Sequence, residues 1–338
     1  MKRHRNLFKQ VCNFQALCNA AHEAAKGKKT KKQTAAFLLD LEPEVLQLET
    51  ELRDRSYHPG SYYTFIVKEP KERMICATGF RDRVVHHAVC KVLEPIFERS
   101  YVFDSYACRK GKGTHTAIKR AQSYMGHFQY YIKLDIRKYF DSVDHGILKI
   151  LLRRKIKDQD LLWLLDTIID HPVPWTNPGK GIPIGNLTSQ YFANFYLNQS
   201  DHFIKDNLGV KGYVRYMDDM LLFGNDKQSL WEIYGQVEHF LMERLELTVK
   251  NGSVVLSPTF EGLSFLGLRV YPRLIRLSRK GWRRFRCNVI QKERLFQRGI
   301  ISGDELKRSI SSVVGHISQA NTRNLRASFF ENHAGLDV

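Results

Sequence analysis

Two adjacent aspartates interrupt an apolar stretch in the second half of the chain. The segment YVRYMDDMLLF, residues 213–223, reads as two short strands on either side of Asp218 and Asp219. Carboxylates at a turn between strands lie at one end of a sheet, where both can reach a metal ion. Aspartate is also a common turn residue, so a solvated turn is the alternative explanation of the pair. A third acid close by would favour the metal site.

The segment YYIKLDIRKYFDSVDH, residues 130–145, supplies that acid, because its strand-like part ends at Asp135. Strand alternation places Lys133 and Asp135 on one face and Ile132 and Leu134 on the other. Three acids at neighbouring strand ends are what phosphoryl transfer by two magnesium ions requires, with the ions about 3.5–4 Å apart. The two segments together predict such a site.

At this point the chain resembles the reverse transcriptases. The residues Tyr216-Met217-Asp218-Asp219 resemble the Tyr-x-Asp-Asp motif of that family, and Asp135 with Phe140 resembles its first aspartate motif. Further motifs follow in the family's order from about residue 62 to residue 272. The resemblance implies an α+β fold of the right-hand polymerase type, in which an antiparallel palm sheet lies between fingers and thumb.

The resemblance also implies roles for individual residues. Asp135, Asp218 and Asp219 are the implied catalytic residues, and with Ile136 they are the implied metal-binding residues. The implied cofactor is two Mg²⁺ ions, with Mn²⁺ as a possible substitute. The implied dNTP-binding residues are Lys71, Arg73, Phe140, Ile184 and Gln190. The implied template- or primer-binding residues are Arg81, Arg109, Lys112, Tyr216, Met217 and Gly267.

Several of these residues have a structural alternative. Residues 62–83 read as two strands joined by a polar turn, so Arg73 could instead take part in a salt-bridged hairpin. Phe140 could be an ordinary core residue. The Gly-rich, basic segment of residues 105–118 could be a loop leading into a helix capped by Thr114. That segment lacks the G-x-x-x-x-G-K-[ST] spacing of a nucleoside triphosphatase loop.

One motif departs from the family's common form. Most reverse transcriptases have Gln-Gly followed four residues later by Ser-Pro, whereas this chain has Ile184-Gly185 and Ser189-Gln190. This form resembles the reverse transcriptases of diversity-generating retroelements, which copy a template RNA with frequent misincorporation opposite adenine. Because Ile184 cannot donate a hydrogen bond, we expect looser checking of the base pair. The resemblance implies error-prone cDNA synthesis for targeted sequence diversification.

The charge of the chain indicates a polyanionic partner. Lys and Arg number 53 against 35 Asp and Glu, which gives a formal net charge of +18. No apolar run approaches the ~20 residues that span a bilayer, and no signal peptide opens the chain. We therefore expect a cytoplasmic protein with no membrane partner. The resemblance implies that it binds template RNA, the RNA/cDNA duplex, dNTPs and a small basic accessory variability protein.

The expected organisation is a helical N-terminal extension over residues 1–60, fingers over 61–128, a palm over 129–275 and a basic helical thumb over 276–338. Part of residues 146–190 belongs with the fingers in this scheme. About sixty residues follow the last motif, which leaves no room for an RNase H domain. Two alternatives stay open: a retron-type or group II-like reverse transcriptase of ordinary fidelity, and a catalytically inactive RNA-binding scaffold.

Overall fold

The fold is that of a computed structural model, which describes residues 3–68 and 72–331. The helices are α1 (Phe8–Val11), α2 (Phe14–Ala25), α3 (Lys32–Leu39), α4 (Leu41–Arg53), α5 (Phe80–Glu98), α6 (Thr114–His127), α7 (Tyr139–Ser142), α8 (His145–Lys155), α9 (Gln159–Asp170), α10 (Leu187–His202), α11 (Lys227–Leu245), α12 (Arg279–Gln297), α13 (Gly303–Ile317) and α14 (Arg323–Glu331). The strands are β1 (Tyr63–Val67), β2 (Arg73–Ala77), β3 (Tyr130–Asp135), β4 (Gly212–Tyr216), β5 (Asp219–Gly224), β6 (Val255–Pro258), β7 (Leu263–Phe265), β8 (Leu268–Val270) and β9 (Ile275–Leu277).

A four-stranded antiparallel sheet in the order β4-β5-β3-β6 forms the centre of the molecule. Its strands alternate as the sequence predicts. Ile132 and Leu134 of β3 pack into the core formed with the N-terminal helices and α8 to α11, whereas Tyr131 packs into a second core with α6 and β7 to β9. Because side chains cover both faces, the strands are more continuously apolar than those of a half-exposed sheet.

The outer edge of β4, which pairs with no other described strand, is covered by the irregular segment of residues 104–106. Ser105 and Arg215 form an isolated parallel bridge there. The N–H of Arg215 donates to the carbonyl of Asp104 at 2.9 Å, and the N–H of Tyr106 donates to the carbonyl of Arg215 at 2.9 Å. This segment therefore connects the residues before α6 to the strand that leads into the aspartate pair.

Helix α10 is buried along most of its length and joins the sheet to α5. Phe195 on α10 stacks on Phe97 of α5, with ring centroids 4.2 Å apart. A short π-helical turn, Phe203–Asn207, continues α10 toward β4. Strands β1 and β2 pair as an antiparallel hairpin, and every residue of β1 is exposed. The predicted pair of strands over residues 62–83 is present, although residues 69–71 of its turn lie outside the described residues.

The chain after β9 is helical, and α12 to α14 form a separate small core around Phe285, Val289 and Phe329. One local expectation differs from the structure. Thr114 is the first residue of α6 rather than its cap; the cap position is Gly113, and the Thr114 hydroxyl donates instead to the Tyr216 hydroxyl at 3.1 Å.

No helix within residues 3–68 and 72–331 combines the length and the apolar composition needed to cross a membrane.

Candidate active site

The three predicted aspartates meet at one end of the central sheet. Asp135 is the last residue of β3 and the cross-strand partner of Asp219, which is the first residue of β5. Asp219 also pairs with Tyr216 at the end of β4, so Met217 and Asp218 form the two-residue turn between these strands. The hairpin thus places Asp218 beyond the strand ends and beside Asp135.

The turn has an unusual backbone conformation. Met217 has a φ of +55°, a left-handed conformation that side chains other than glycine seldom adopt. The carbonyl of Met217 accepts a hydrogen bond from Nη1 of Arg215 at 3.2 Å, which helps to hold the turn in this conformation. Such strain persists where the surroundings determine the backbone, and functional sites are common places for it.

The carboxylates repel one another. Burial raises the pKa of Asp218 to about 6, and the charge of the neighbouring Asp135 carboxylate adds to the increase. Two lysines offset part of this charge. Nζ of Lys133 lies 3.1 Å from Oδ1 of Asp219, and Nζ of Lys250 lies 3.9 Å from Oδ2 of Asp135.

The chemistry of this cluster suits a hard divalent cation, because it offers carboxylate oxygens whose mutual repulsion a cation would relieve. Within the described part of the chain, however, no three acidic, histidine or cysteine side chains are grouped as they would be around a bound metal ion. The ion pair of Asp219 with Lys133 is consistent with the absence of such a three-residue group from the described residues, because it engages the Asp219 carboxylate with a cation of the protein. Asp135 and Asp218 are the pair best placed to hold metal together.

A cleft of about 1040 Å³ opens over the aspartates. It brings together most of the residues that the sequence predicts for metal and nucleotide binding and two of those predicted for the template or primer. The predicted residues that line it are Arg73, Asp135, Ile136, Phe140, Ile184, Gln190, Tyr216, Met217, Asp218 and Asp219. Phe140 is half-buried at the wall of the cleft, so it is more accessible than an ordinary core residue.

The motif with Ile184 is held against the hairpin of β1 and β2. The carbonyl of Ile184 accepts from the N–H of Cys76 on β2 at 2.9 Å. Gly185 has a φ of +125°, and a Cβ at this position would lie 2.8 Å from the carbonyl oxygen of Cys76. Only glycine allows this close approach of the two backbones. The side chain of Ile184 remains half-buried and contributes an aliphatic surface to the cleft.

Three predicted template- or primer-binding residues make contacts within the protein instead of lining the cleft. All three guanidinium nitrogens of Arg109 donate to Glu98 or to the carbonyls of Val102 and Ser105, and its side chain is only 6% exposed. This environment favours a structural role for Arg109 over the predicted template contact.

Lys112 and Arg81 have partners as well. Nζ of Lys112 donates to the carbonyl of Phe103 at 3.0 Å and lies 3.4 Å from the centroid of the Phe103 ring. Arg81 is ion-paired with Glu51 and lies over the ring of Tyr57. Both side chains retain exposed surface, so their predicted nucleic-acid contacts stay predictions.

Two predicted residues remain, Gly267 and Lys71. Gly267 lies in the turn between β7 and β8, with a φ of +84°, and its neighbour Leu266 lines the cleft. Lys71 lies outside the described residues.

Sequence reasoning missed two charged residues beside the site. Lys133 carried a signal, since strand alternation places it on the same face as Asp135, but no role was assigned to it. Arg215 also carried one, because an isolated charge inside an apolar strand needs a buried partner. That partner is Asp201 on α10, and both side chains are fully buried. Nothing local in the sequence pairs these two residues.

Comparison with known proteins agrees with this geometry. A family model described as "Reverse transcriptase (RNA-dependent DNA polymerase)" matches residues 66–270. The putative COX1/OXI3 intron 2 protein of Saccharomyces cerevisiae is 23% identical over 266 residues, which cover 60% of this chain and 31% of that protein. The group II intron-encoded protein LtrA of Lactococcus lactis subsp. cremoris is 26% identical over 170 residues, covering 48% of this chain and 28% of that protein.

The chain thus spans about a third of the length of these two relatives. Among solved structures, that of apo telomerase from Candida tropicalis, truncated from its C-terminal domain, matches with a TM-score of 0.51 at 12% identity. The match covers 68% of this chain and 59% of that one. This likeness supports the expected polymerase fold with antiparallel sheets.

Proposed function

Because the chain belongs to the reverse transcriptase family, we propose that it catalyses DNA synthesis on an RNA template. The observation that carries the proposal is the convergence of Asp135 and Asp218 on the floor of the cleft. In the reaction, the primer 3′-hydroxyl attacks the α-phosphorus of a dNTP and pyrophosphate leaves. Catalysis of this kind depends mainly on positioning and on neutralising charge.

Asp135 and Asp218 are the proposed holders of two Mg²⁺ ions, with Asp219 and Ile136 as further candidate ligands and Mn²⁺ as a possible substitute. Bound magnesium would activate the attacking hydroxyl and stabilise the leaving pyrophosphate. The protein keeps the two carboxylates close despite their repulsion, because β3, β5 and the Met217 turn fix their positions. At Asp219 a metal ion would compete with the ammonium group of Lys133 for the same carboxylate.

The proposed nucleotide site is the part of the cleft that Arg73, Phe140, Ile184 and Gln190 line. Arg73 offers a guanidinium group suited to the oxygens of the triphosphate, and Lys71 is proposed to act beside it. The ring of Phe140 would pack under the incoming sugar. In the family, the side chain at the matching position excludes nucleotides that carry a ribose 2′-hydroxyl. Ile184 and Gln190 would face the nascent base pair.

The nucleic acid is proposed to run across the same cleft. Tyr216 and Met217 border the aspartates, and the turn at Gly267 borders the cleft through Leu266. In this arrangement residues 61–128 act as fingers, residues 129–275 as the palm and residues 276–338 as a thumb along the duplex. The first turns of α12 supply exposed cations, which suit phosphate contacts.

Substitution of Asp218 tests the polymerase. Asp218→Ala should abolish cDNA synthesis from an RNA template with dNTPs and Mg²⁺, while the affinity for RNA, measured by fluorescence anisotropy, stays unchanged. Asp226→Ala is the matched control, because Asp226 is an exposed aspartate that caps α11 away from the cleft. An RNA-binding scaffold without catalysis would instead give no cDNA with the unsubstituted protein.

The finer proposal is that the enzyme is error-prone at template adenines, as in a diversity-generating retroelement. The aliphatic wall at Ile184 supports it, since no side-chain hydrogen bond from this position can check the base pair. A small basic accessory variability protein would be its partner. The intron-encoded relatives support the alternative of a group II-like enzyme with ordinary fidelity.

Sequencing of the cDNA separates these two functions. The diversity-generating function predicts errors concentrated opposite template adenines and fewer of them in Ile184→Gln. A uniform, low error rate that Ile184→Gln leaves unchanged would favour the group II-like function.

A further inference from the structure

A buried polar network connects the catalytic turn to the wall of the proposed nucleotide site. At its centre is Arg215, whose side chain is fully buried. Nε donates to Oδ1 of Asp201 at 2.6 Å, and Nη2 donates to Oδ2 of Asp201 at 2.5 Å. Burial opposes the charged form of Arg215, but the Asp201 charge outweighs it, and the pKa of Arg215 is raised. The guanidinium is therefore a fixed cation behind the turn.

The remaining donors of Arg215 reach in two directions. Nη1 donates both to the carbonyl of Met217 at 3.2 Å and to Oδ1 of Asn194 at 2.9 Å. Nη2 also donates to Oγ of Ser105 at 3.1 Å. One nitrogen thus links the residue before Asp218 to the middle of α10.

Asn194 carries the connection onward. It is 1% exposed, and its Nδ2 donates to the carbonyl of Ala107 at 3.0 Å. The next residue, Cys108, lines the cleft and places its Sγ 3.5 Å from Oε1 of Gln190. Gln190 precedes Asn194 by four residues, so the two lie on the same face of α10.

We propose that Asn194 is a positioning residue that couples the turn carrying Asp218 to the Cys108–Gln190 wall, and so sets both the rate of synthesis and the selection of the base. This inference rests on the proposed polymerase function. Asn194 touches no substrate itself. It acts through Arg215 on the turn and through Ala107 on the wall.

The chain provides a matched control one helical turn later. Asn198 is also 1% exposed on α10, and its Nδ2 donates to the carbonyl of Ser100 at 3.1 Å, a contact like that of Asn194 with Ala107. Its hydrogen bonds do not involve Arg215. Asn194→Ala and Asn198→Ala therefore remove similar buried amides. Only the first removes the side-chain link between turn and wall, although Nη2 of Arg215 keeps its contact with the backbone carbonyl of residue 194 at 3.3 Å.

The test is single-nucleotide incorporation by the full chain with Mg²⁺ and a defined RNA template–DNA primer, measured with correct and incorrect dNTPs. We expect Asn194→Ala to lower kcat by about 10- to 100-fold with little change of the dNTP KM, since misplacement by about 1 Å can cost 10²-fold. We also expect its ratio of incorrect to correct incorporation to rise several-fold. Asn198→Ala should change neither quantity, although both variants should lower the thermal unfolding midpoint.

Equal kinetic effects of the two variants would overturn the coupling and leave the polymerase function intact. No incorporation by the unsubstituted chain would refute the proposed function instead. If Asn194→Ala does not fold, Ser105→Ala takes its place, because it removes only the hydroxyl that contacts both Arg215 and Asn194. Ser105→Ala should change rate and selection in the same direction, and unchanged values would overturn the inference.

Discussion

At the level of single residues, the site combines close carboxylates with cations that offset their repulsion. Lys133 and Asp135 share one face of β3, and this brings an ammonium group to the cross-strand neighbour of Asp135, which is Asp219. Lys133 also donates to the carbonyl of Ser264 on β7 at 3.2 Å. The lysine therefore joins the aspartate cluster to the hairpin of β7 and β8, whose turn holds Gly267, a proposed template- or primer-binding residue.

The first residue-scale prediction concerns this lysine. Lys133→Met removes one positive charge beside the proposed metal ligands, so magnesium should bind more tightly. A partly exposed ion pair is worth up to about 1 kcal/mol, which corresponds to a fall of up to about fivefold in the Mg²⁺ concentration for half-maximal activity. A magnesium titration of primer extension measures it. An unchanged or higher midpoint would contradict the role assigned to Lys133.

A second prediction concerns Gly185. Gly185→Ala places a Cβ against the backbone of Cys76 at a φ of +125°, so the motif with Ile184 must move away from β2. We expect a loss of stability of about 1–3 kcal/mol, which is typical of strained backbone conformations. Gly126→Ala is the control, because Gly126 lies in α6 and a Cβ there meets nothing within 4 Å. Chemical denaturation should show loss of stability only in the first variant.

At the level of elements, the sequence predicted those parts of the site that local patterns determine. The hairpin around Asp218 and the end of β3 at Asp135 follow from alternation and from turn residues, and the structure contains both. The cover over the edge of β4 was not predictable, because residues 104–106 have no strand pattern and meet Arg215 only through the folded chain. For the same reason the internal partners of Arg109 were missed. Its basic sequence neighbours suggested nucleic acid, whereas its acceptors are set by tertiary contacts.

An element-scale prediction concerns Asp158, which serves two helices at once. Its Oδ1 accepts from the N–H of Leu161 in α9, and its Oδ2 accepts from the N–H groups of Leu7 and Phe8 at the start of α1. Burial raises the pKa of Asp158, but these donors outweigh burial and the pKa is lowered. Asp158→Ala should therefore cost more than an ordinary cap, about 2 kcal/mol or more.

The pH dependence of that cost has a defined sign. A lowered pKa in the folded state means that the stabilisation is present above the pKa of an unfolded aspartate and is lost as the pH falls through the folded pKa. The difference in unfolding free energy between the unsubstituted chain and Asp158→Ala should thus shrink on acidification. Ser302→Ala at the uncharged cap of α13 is the comparison, since Ser302 itself does not titrate. A difference for Asp158→Ala that grows on acidification would refute the assignment.

At the scale of the whole molecule, the net charge of +18 is distributed over surfaces that need not all meet RNA. The residues of α12 separate by face: Phe285 and Val289 are buried, while Arg283, Arg284 and Arg286 are exposed. The lysines of residues 26–31 are also exposed, but they lie on a loop between α2 and α3. The charge alone does not say which of these surfaces holds nucleic acid. The proposed thumb assigns this role to α12, because it puts the cations of α12 along the duplex.

Salt dependence distinguishes the two surfaces. If the α12 arginines each contact a phosphate, Arg283→Gln, Arg284→Gln and Arg286→Gln together should reduce the slope of log K against log [salt] by about 0.7–0.9 for each phosphate that no longer meets a cation. Lys28→Gln, Lys29→Gln and Lys31→Gln together remove the same charge from the loop and should leave the slope for a template–primer duplex unchanged. The slopes come from anisotropy titrations at several salt concentrations. Equal reductions in both triple variants would mean that the duplex responds to overall charge and not to a specific thumb contact, and the assignment of residues 276–338 as a thumb would lose its main support.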